Sequence, residues 1–278
     1  LEDTWQRVIP EHGIEILGPD AVSVLSQHGL QFPASVAWVK PVLRRLSTLT
    51  PSPPTTLFAA HGGGELFDFW PYARLQAILH GRLVPGRADL HLVRHALLPR
   101  AVRAVLQRRR HPIADVPWLR PGVAKQLERE REPPAPLRWD RALGYLVTRR
   151  CEQATQESHA TLGRDAGVNI VFPRLDPRYL GAILHLGGAA GFGNRDQYTN
   201  LLAGDLLPRE IVSRRDRIGY GTMYFGEACR AFAERWSGRG LPEEIVDPDV
   251  LRRLWRSERY DWRSAPLLQA AWLHDHLA

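Results

Sequence analysis

The chain has 278 residues, 44% of them hydrophobic and 24% charged, with a formal net charge of +7. That composition is ordinary for a globular protein and excludes wholesale disorder, a collagen-like repeat and a disulfide scaffold. At roughly 150 residues per domain the length allows one or two domains, with ample chain to bury a core. Only Lys40 and Lys125 of the 37 basic residues are lysines, and Leu1 opens a sequence whose single methionine is Met223. The missing start methionine points to a processed product or a fragment. Cys151 and Cys229 have neither metal-ligand spacing nor a CxxC motif. They read as two reduced thiols, which suits a cytoplasmic setting. No run nears the roughly 18–20 apolar residues of a membrane span. The start, with Glu2, Asp3, Glu11, Glu15 and Asp20, is too acidic for a signal peptide.

In chain order, Ile14 to Leu17 reads as a short strand between Gly13 and Gly18. Gly18-Pro19-Asp20 is a turn, with Asp20 placed to cap a helix through Gln27. Val36, Val39, Leu43 and Leu46 have helical spacing, but Pro41 makes that helix kink or start late. Thr55 to Ala60 is an apolar, β-branched run that reads as a buried strand of a parallel sheet. It runs into His61-Gly62-Gly63-Gly64 and a helix opening at Glu65. From Tyr72 to Arg110 the pattern is helical, broken at Pro85-Gly86 and at Pro99. The Arg108-Arg109-Arg110 triplet reads as a solvated helix end rather than a nucleic-acid surface, since no aromatics interleave it. Residues 111–137 are proline-rich and charged, the natural linker or lid, and Trp118 there is the tryptophan to watch.

Leu137 to Ala166 reads as one long helix with Leu143, Leu146 and Val147 on one face. Val168 to Phe172 is a short apolar stretch, Pro177 to Leu186 a helix, and Gly187 to Gly193 a glycine-rich loop. Further helices are expected near 196–206, 223–236, 248–257 and 265–277. There is no internal repeat. Few strands and many helices give an α/β chain, predominantly helical, with a small N-terminal α/β part feeding a helical body.

The sharpest local feature is Phe58-Ala59-Ala60-His61-Gly62-Gly63-Gly64-Glu65-Leu66-Phe67. Glycines let a backbone approach an anion, and a new helix offers free N–H groups and a positive dipole end. These words resemble the G-[DEH]-G-[GA]-D-E-[LV]-F segment of the asparagine synthetase family's synthetase domain, with Ala60 replacing the first glycine. Phe172-Pro173-Arg174-Leu175-Asp176-Pro177-Arg178 is similar to that family's V-P-F-L-D-P-R. Leu206-Leu207-Pro208-Arg209-Glu210-Ile211-Val212-Ser213-Arg214-Arg215-Asp216-Arg217 resembles L-L-P-x-x-[IV]-x-x-R-x-x-K. The tail from Trp236 to Leu273 is like that of actinobacterial members. Order and rough spacing agree across residues 55–278.

The resemblance implies an adenine-nucleotide-hydrolase-like, Rossmann-like parallel sheet, here partial, with residues 1–278 forming one synthetase domain. It implies ATP and magnesium, a small-molecule or peptide carboxylate activated as an acyl-adenylate, and an amine that closes an amide. Relatives make asparagine, close β-lactams or cyclise lasso peptides. His61, Glu65 and Arg217 are then the catalytic candidates. Ala60, His61, Gly62, Gly63 and Gly64, with Arg214 and Arg217, approach ATP and pyrophosphate. Asp176, Arg195 and Tyr220 line the pocket or hold it. Partners are the substrate, a peptide-binding partner and a second copy of the chain, with no nucleic acid and no membrane.

The departures matter equally. The family's S-G-G-x-D-S pyrophosphate loop and its first strand are not in this sequence, nor is its glutaminase domain. The magnesium-ligating Asp of G-G-D-E is Gly64, which has no side chain to ligate; Asp68, one helical turn beyond Glu65, is the stand-in candidate. The phosphate-contacting lysine is Arg217, which keeps the charge as a forked donor. His61 stands where asparagine synthetases tend to carry Glu and lasso-peptide cyclases often carry His. Val171 replaces a common arginine. A degenerate, non-catalytic relative acting as a peptide or protein binding module is the alternative. Outside the resemblance, His91 and His95 lie four apart with no third metal ligand, and His274-Asp275-His276 reads as a polar tail.

Overall fold

The structure is a computed structural model. It describes residues 14–49, 55–61, 70, 72–81, 83–110, 113–192, 195–206, 208, 210, 221–257 and 260–277. The helices described in the N-terminal half are α1 (Pro19–His28), α2 (Lys40–Leu49), α3 (Ala73–Leu79), α4 (Leu90–Leu97), α5 (Arg100–Arg110) and α6 (Pro121–Arg129). They are followed by α7 (Trp139–Val147), α8 (Arg150–Asp165), α9 (Pro177–Gly187) and α10 (Arg195–Ala203). The chain ends in α11 (Gly221–Tyr224), α12 (Glu227–Arg235), α13 (Pro248–Arg256) and α14 (Ala265–Leu277). Two strands, β1 (Thr55–Phe58) and β2 (Val168–Val171), pair in parallel with Thr55 opposite Val168 and Phe58 opposite Val171. The architecture is α/β and mostly helical.

Several elements differ from the sequence reading. Ile14 to Leu17 is a turn, not a strand: Gly18 N–H donates to the Glu15 carbonyl, and Ile16 N–H donates singly to the Tyr224 carbonyl at 3.0 Å with no ladder beside it. Gly18 is the residue that caps α1, and Pro19 takes its first turn. Asp20 instead accepts from Arg44 Nη2 at 2.7 Å. Pro41 does make the second helix start late, after a short 3-10 turn over Val36–Val39. β1 is only half buried, its alternate residues pointing outward, with Phe58 72% exposed. The long helix over 137–166 is two helices. Thr148 Oγ1 donates back to the Gly144 carbonyl and Arg149 turns extended before α8 begins. The helix near 223–236 is also two, parted at Gly226, where the Glu15 carboxylate accepts from the N–H groups of Glu227 and Ala228, both at 3.0 Å. A remote carboxylate thus serves the helix start that glycine cannot cap by side chain.

Three apolar clusters hold the fold. One gathers Trp118, Trp236, Trp255 and Trp272 with Leu251 and Leu268 in the C-terminal helices. Trp118 is therefore core rather than lid, and the stretch expected as a linker carries α6 and bridges Leu119 to Val246. A second cluster, Val24, Val36, Val39, Leu43, Leu162, Val168 and Ile170, packs helices on one face of the sheet. A third centres on Trp70, Leu75, Trp139 and Leu143. Buried Gln269 ties the first cluster to the N-terminal segment, donating to the carbonyls of Ile16 at 3.0 Å and Ala34 at 2.8 Å. No helix among the described residues is long and apolar enough to cross a membrane.

Candidate functional site

The inward residues of α8 are Glu152, Thr155, Ser158, His159, Leu162 and Gly163. Their three- and four-residue spacing is one helical face. That face is apolar at its far end, where α8 meets β2. A Cβ on Gly163 would stand 2.6 Å from the Val168 carbonyl oxygen, so the close approach needs glycine. At its near end the face is polar, and there it meets the chain leaving β1.

His61 Nε2 lies 2.7 Å from Glu152 Oε2. A carboxylate oxygen accepts, so the His61 Nε2–H donates to Glu152. Glu152 is well sheltered, its side chain 8% exposed against 28% for His61. Cys151 Sγ approaches the other oxygen, Oε1, at 3.9 Å, and burial pushes its thiol pKa up. His159 lies beneath. Its Nδ1 donates to the Thr155 carbonyl at 2.8 Å, and its ring centroid is 6.4 Å from that of His61. Phe172, just past β2, stands edge-on to both rings at 5.8 and 5.5 Å. A cavity of about 530 Å³ opens beside Phe172, walled also by Phe58, Gln156 and Asp176. The whole cluster sits past the carboxyl ends of two parallel strands, where ligands bind in open α/β sheets.

Of the residues singled out from the sequence, the structure places four. Ala60 offers its carbonyl to Arg174 Nη1 at 3.3 Å. His61 pairs with Glu152. Asp176 caps α9, accepting from Arg178 N–H at 2.8 Å, and lines the cavity. Arg195 opens α10. Gly62, Gly63, Gly64, Glu65, Asp68, Arg214, Arg217 and Tyr220 lie outside the described residues. Glu152, His159 and Phe172 were missed. The signal for Glu152 and His159 was present as polar residues at helical spacing over 152–159, inside a segment noted for Leu143, Leu146 and Val147, while Phe172 was quoted only as the start of the 172–178 segment.

Burial lowers the pKa of His159 below its ordinary value, with the neighbouring His61 adding to the shift. As the pH falls below about 6.5 the unfolded chain takes up this proton first, so stability is full above that value and is lost as the pH falls toward the folded pKa. Melting followed against pH should show a midpoint that is flat above about pH 7 and falls below about 6.5. His159→Gln should remove that part of the decline. An unchanged acid slope in the variant would assign it elsewhere.

A second cavity, of about 600 Å³, lies between α4, α7 and the Pro133-Pro134 wall. There Tyr145 OH donates to Glu132 Oε2 at 2.6 Å, which, after burial, helps push the phenol up to about 12. His91 and His95 line this cavity, and no group of three or more His, Cys, Asp or Glu suited to a metal occurs among the described residues. Set against family models, curated proteins and solved structures, the chain finds no match.

Proposed function

We propose that the chain is synthetase machinery of an asparagine-synthetase-like ATP-dependent amide ligase, built on part of a Rossmann-like sheet. One observation carries this reading. Two of the three segments that suggested it, 58–67 and 172–178, are far apart in sequence yet leave adjacent parallel strands and touch through Arg174 and the Ala60 carbonyl.

In such a ligase a carboxylate oxygen attacks the α-phosphorus of ATP and pyrophosphate leaves. An amine then attacks the acyl carbon, AMP leaves, and the nitrogen gives up a proton. The His61–Glu152 pair is suited to take that proton, Glu152 accepting from Nε2–H and stabilising the imidazolium that forms. Phe172 stands edge-on to the His61 ring, and Glu152 is sheltered from solvent. Magnesium fits poorly on the residues in hand: Gly64 has no ligating side chain, and the described residues hold no ligand cluster.

Calorimetry with magnesium and ATP on the 278-residue chain should show little or no binding, because S-G-G-x-D-S is not in the sequence. Tight binding would overturn the need for that loop. The ligase reading itself requires that the protein, joined to an S-G-G-x-D-S strand and loop, release pyrophosphate only when ATP and a carboxylate are both present. Gly64 favours a second reading, a non-catalytic binding module. Binding of a peptide carboxylate with no pyrophosphate release would select it.

A further inference from the structure

The chain's charge is concentrated in one stretch. Residues 79–110 hold eight arginines, one aspartate and no lysine or glutamate, a net +7 that equals the formal net charge of the whole chain. The single acid, Asp89, is buried and clamped: it accepts from Arg74 Nε at 2.5 Å and Nη2 at 2.9 Å and from Gly86 N–H at 2.8 Å. It therefore shows no negative charge to solvent.

The same stretch exposes large aliphatic side chains. Val84 is 89% exposed, Leu97 80% and Leu90 61%, with Val102 and Val105 also outside. On α4, Leu90, Arg94 and Leu97 are all exposed and share one face by their i, i+4, i+7 spacing. On α5, Val102, Val105 and Arg109 are exposed at i, i+3, i+7. A solvent-facing helix side is ordinarily polar. Here each outer stripe is two aliphatics and an arginine, which lies between the leucines on α4 and follows the valines on α5. The inner sides are accounted for: Val93 and Ala96 pack on the third cluster, and Arg103 donates to Tyr72 OH at 3.1 Å from a buried position.

We propose that the outer stripes of α4 and α5 dock a partner segment of acidic and aliphatic residues in alternation, such as an amphipathic helix carrying Glu or Asp beside Leu or Val. The arginines match carboxylates with a planar fork, and the aliphatics between them have apolar surface to bury. Nucleic acid fits less well. Residues 79–110 contain no Phe, Trp or Tyr to stack on bases, and phosphate leaves the leucines idle. A lipid surface also fits less well. A helix lying in a bilayer keeps a continuous apolar face with its cations at the flanks, whereas Arg94 sits between the two leucines of the α4 stripe. The inference is independent of the ligase reading, since none of these residues belongs to the His61 site.

The test is fluorescence anisotropy with a labelled 21-residue helical peptide of Glu, Leu and Ala, on the whole chain. Binding is expected that weakens with salt. It should weaken about tenfold or more, a change of about 1.4 kcal/mol, both in Arg94→Glu/Arg109→Glu and in Leu97→Ser/Val105→Ser. All these sites are exposed, so an unchanged melting midpoint verifies that the variants fold. The proposal is overturned if the peptide does not bind, or if poly-glutamate binds as tightly as the amphipathic peptide. It is equally overturned if phosphatidylserine vesicles or duplex DNA bind and the peptide does not. Concentration-dependent dimerisation lost in the same variants would also overturn it, by making the occupant a second copy.

Discussion

Trp255→Ala should destabilise the protein by about 3–5 kcal/mol, the largest single effect on folding expected in this chain. The Trp255 side chain is 1% exposed and lies 4.8 Å, ring to ring, from Trp236. Its Nε1–H donates to Ser264 Oγ at 3.0 Å, and that hydroxyl in turn donates to the Asp261 carbonyl at 2.7 Å. Truncation removes the ring's transfer energy, leaves a cavity that neighbouring helices cannot close, and costs the buried hydroxyl its donor. Urea denaturation should show a lower midpoint with an unchanged slope. Trp255→Phe keeps much of the volume but loses the N–H, so its cost should be smaller, about 1–3 kcal/mol. An alanine variant within about 1 kcal/mol of the parent would mean that the tryptophan cluster is not the mechanical centre of the C-terminal helices.

Glu152→Gln should produce the largest effect on activity. The amide is close in size to the carboxylate and can still accept from His61 Nε2–H, so packing is retained. What is lost is the negative charge that stabilises His61 when it holds a proton. General-base steps of this kind contribute about 10²–10⁴-fold, and on the ligase reading that is the expected fall in amide formation once the chain is joined to an S-G-G-x-D-S strand and loop. Pyrophosphate release should fall much less, because adenylation needs no proton from the amine. Equal loss of both steps would make the pair a scaffold for the strand ends. No loss of either, with pyrophosphate release intact, would remove His61 and Glu152 from the chemistry without touching the ligase reading.

Much of the framework was legible in the residues. Thr55 to Ala60 and Val168 to Phe172 read as short apolar runs, and the two strands, Thr55–Phe58 and Val168–Val171, lie within them. Pro85, Pro99 and Pro41 broke or delayed helices as their missing N–H requires. Apart from the helix break at Thr148, the misread elements share a cause, namely a partner distant in sequence. Ile14 to Leu17 looks like a strand by composition, but its hydrogen bonds go to Tyr224 and Gln269. Asp20 looks like a cap, but Arg44 claims its carboxylate. Gly226 gains a cap from Glu15, more than 200 residues earlier.

The candidate site divides the same way. His61 and Asp176 could be chosen from motif words, because glycine-rich turns and capping positions are local properties of the backbone. Glu152 could not. In sequence it is one acid in an amphipathic helix, and only the packing of α8 across the ends of β1 and β2 turns it toward His61. The amino-acid sequence by itself determined the helical character, the two strand segments and the arginine-borne net charge of +7. These follow from periodicity, proline and glycine geometry, and counting. The tertiary structure alone decided which carboxylate serves which imidazole, which tryptophans form the core, and which leucines and arginines are left facing solvent. Burial and pairing are set by residues that meet only once the chain has closed upon itself.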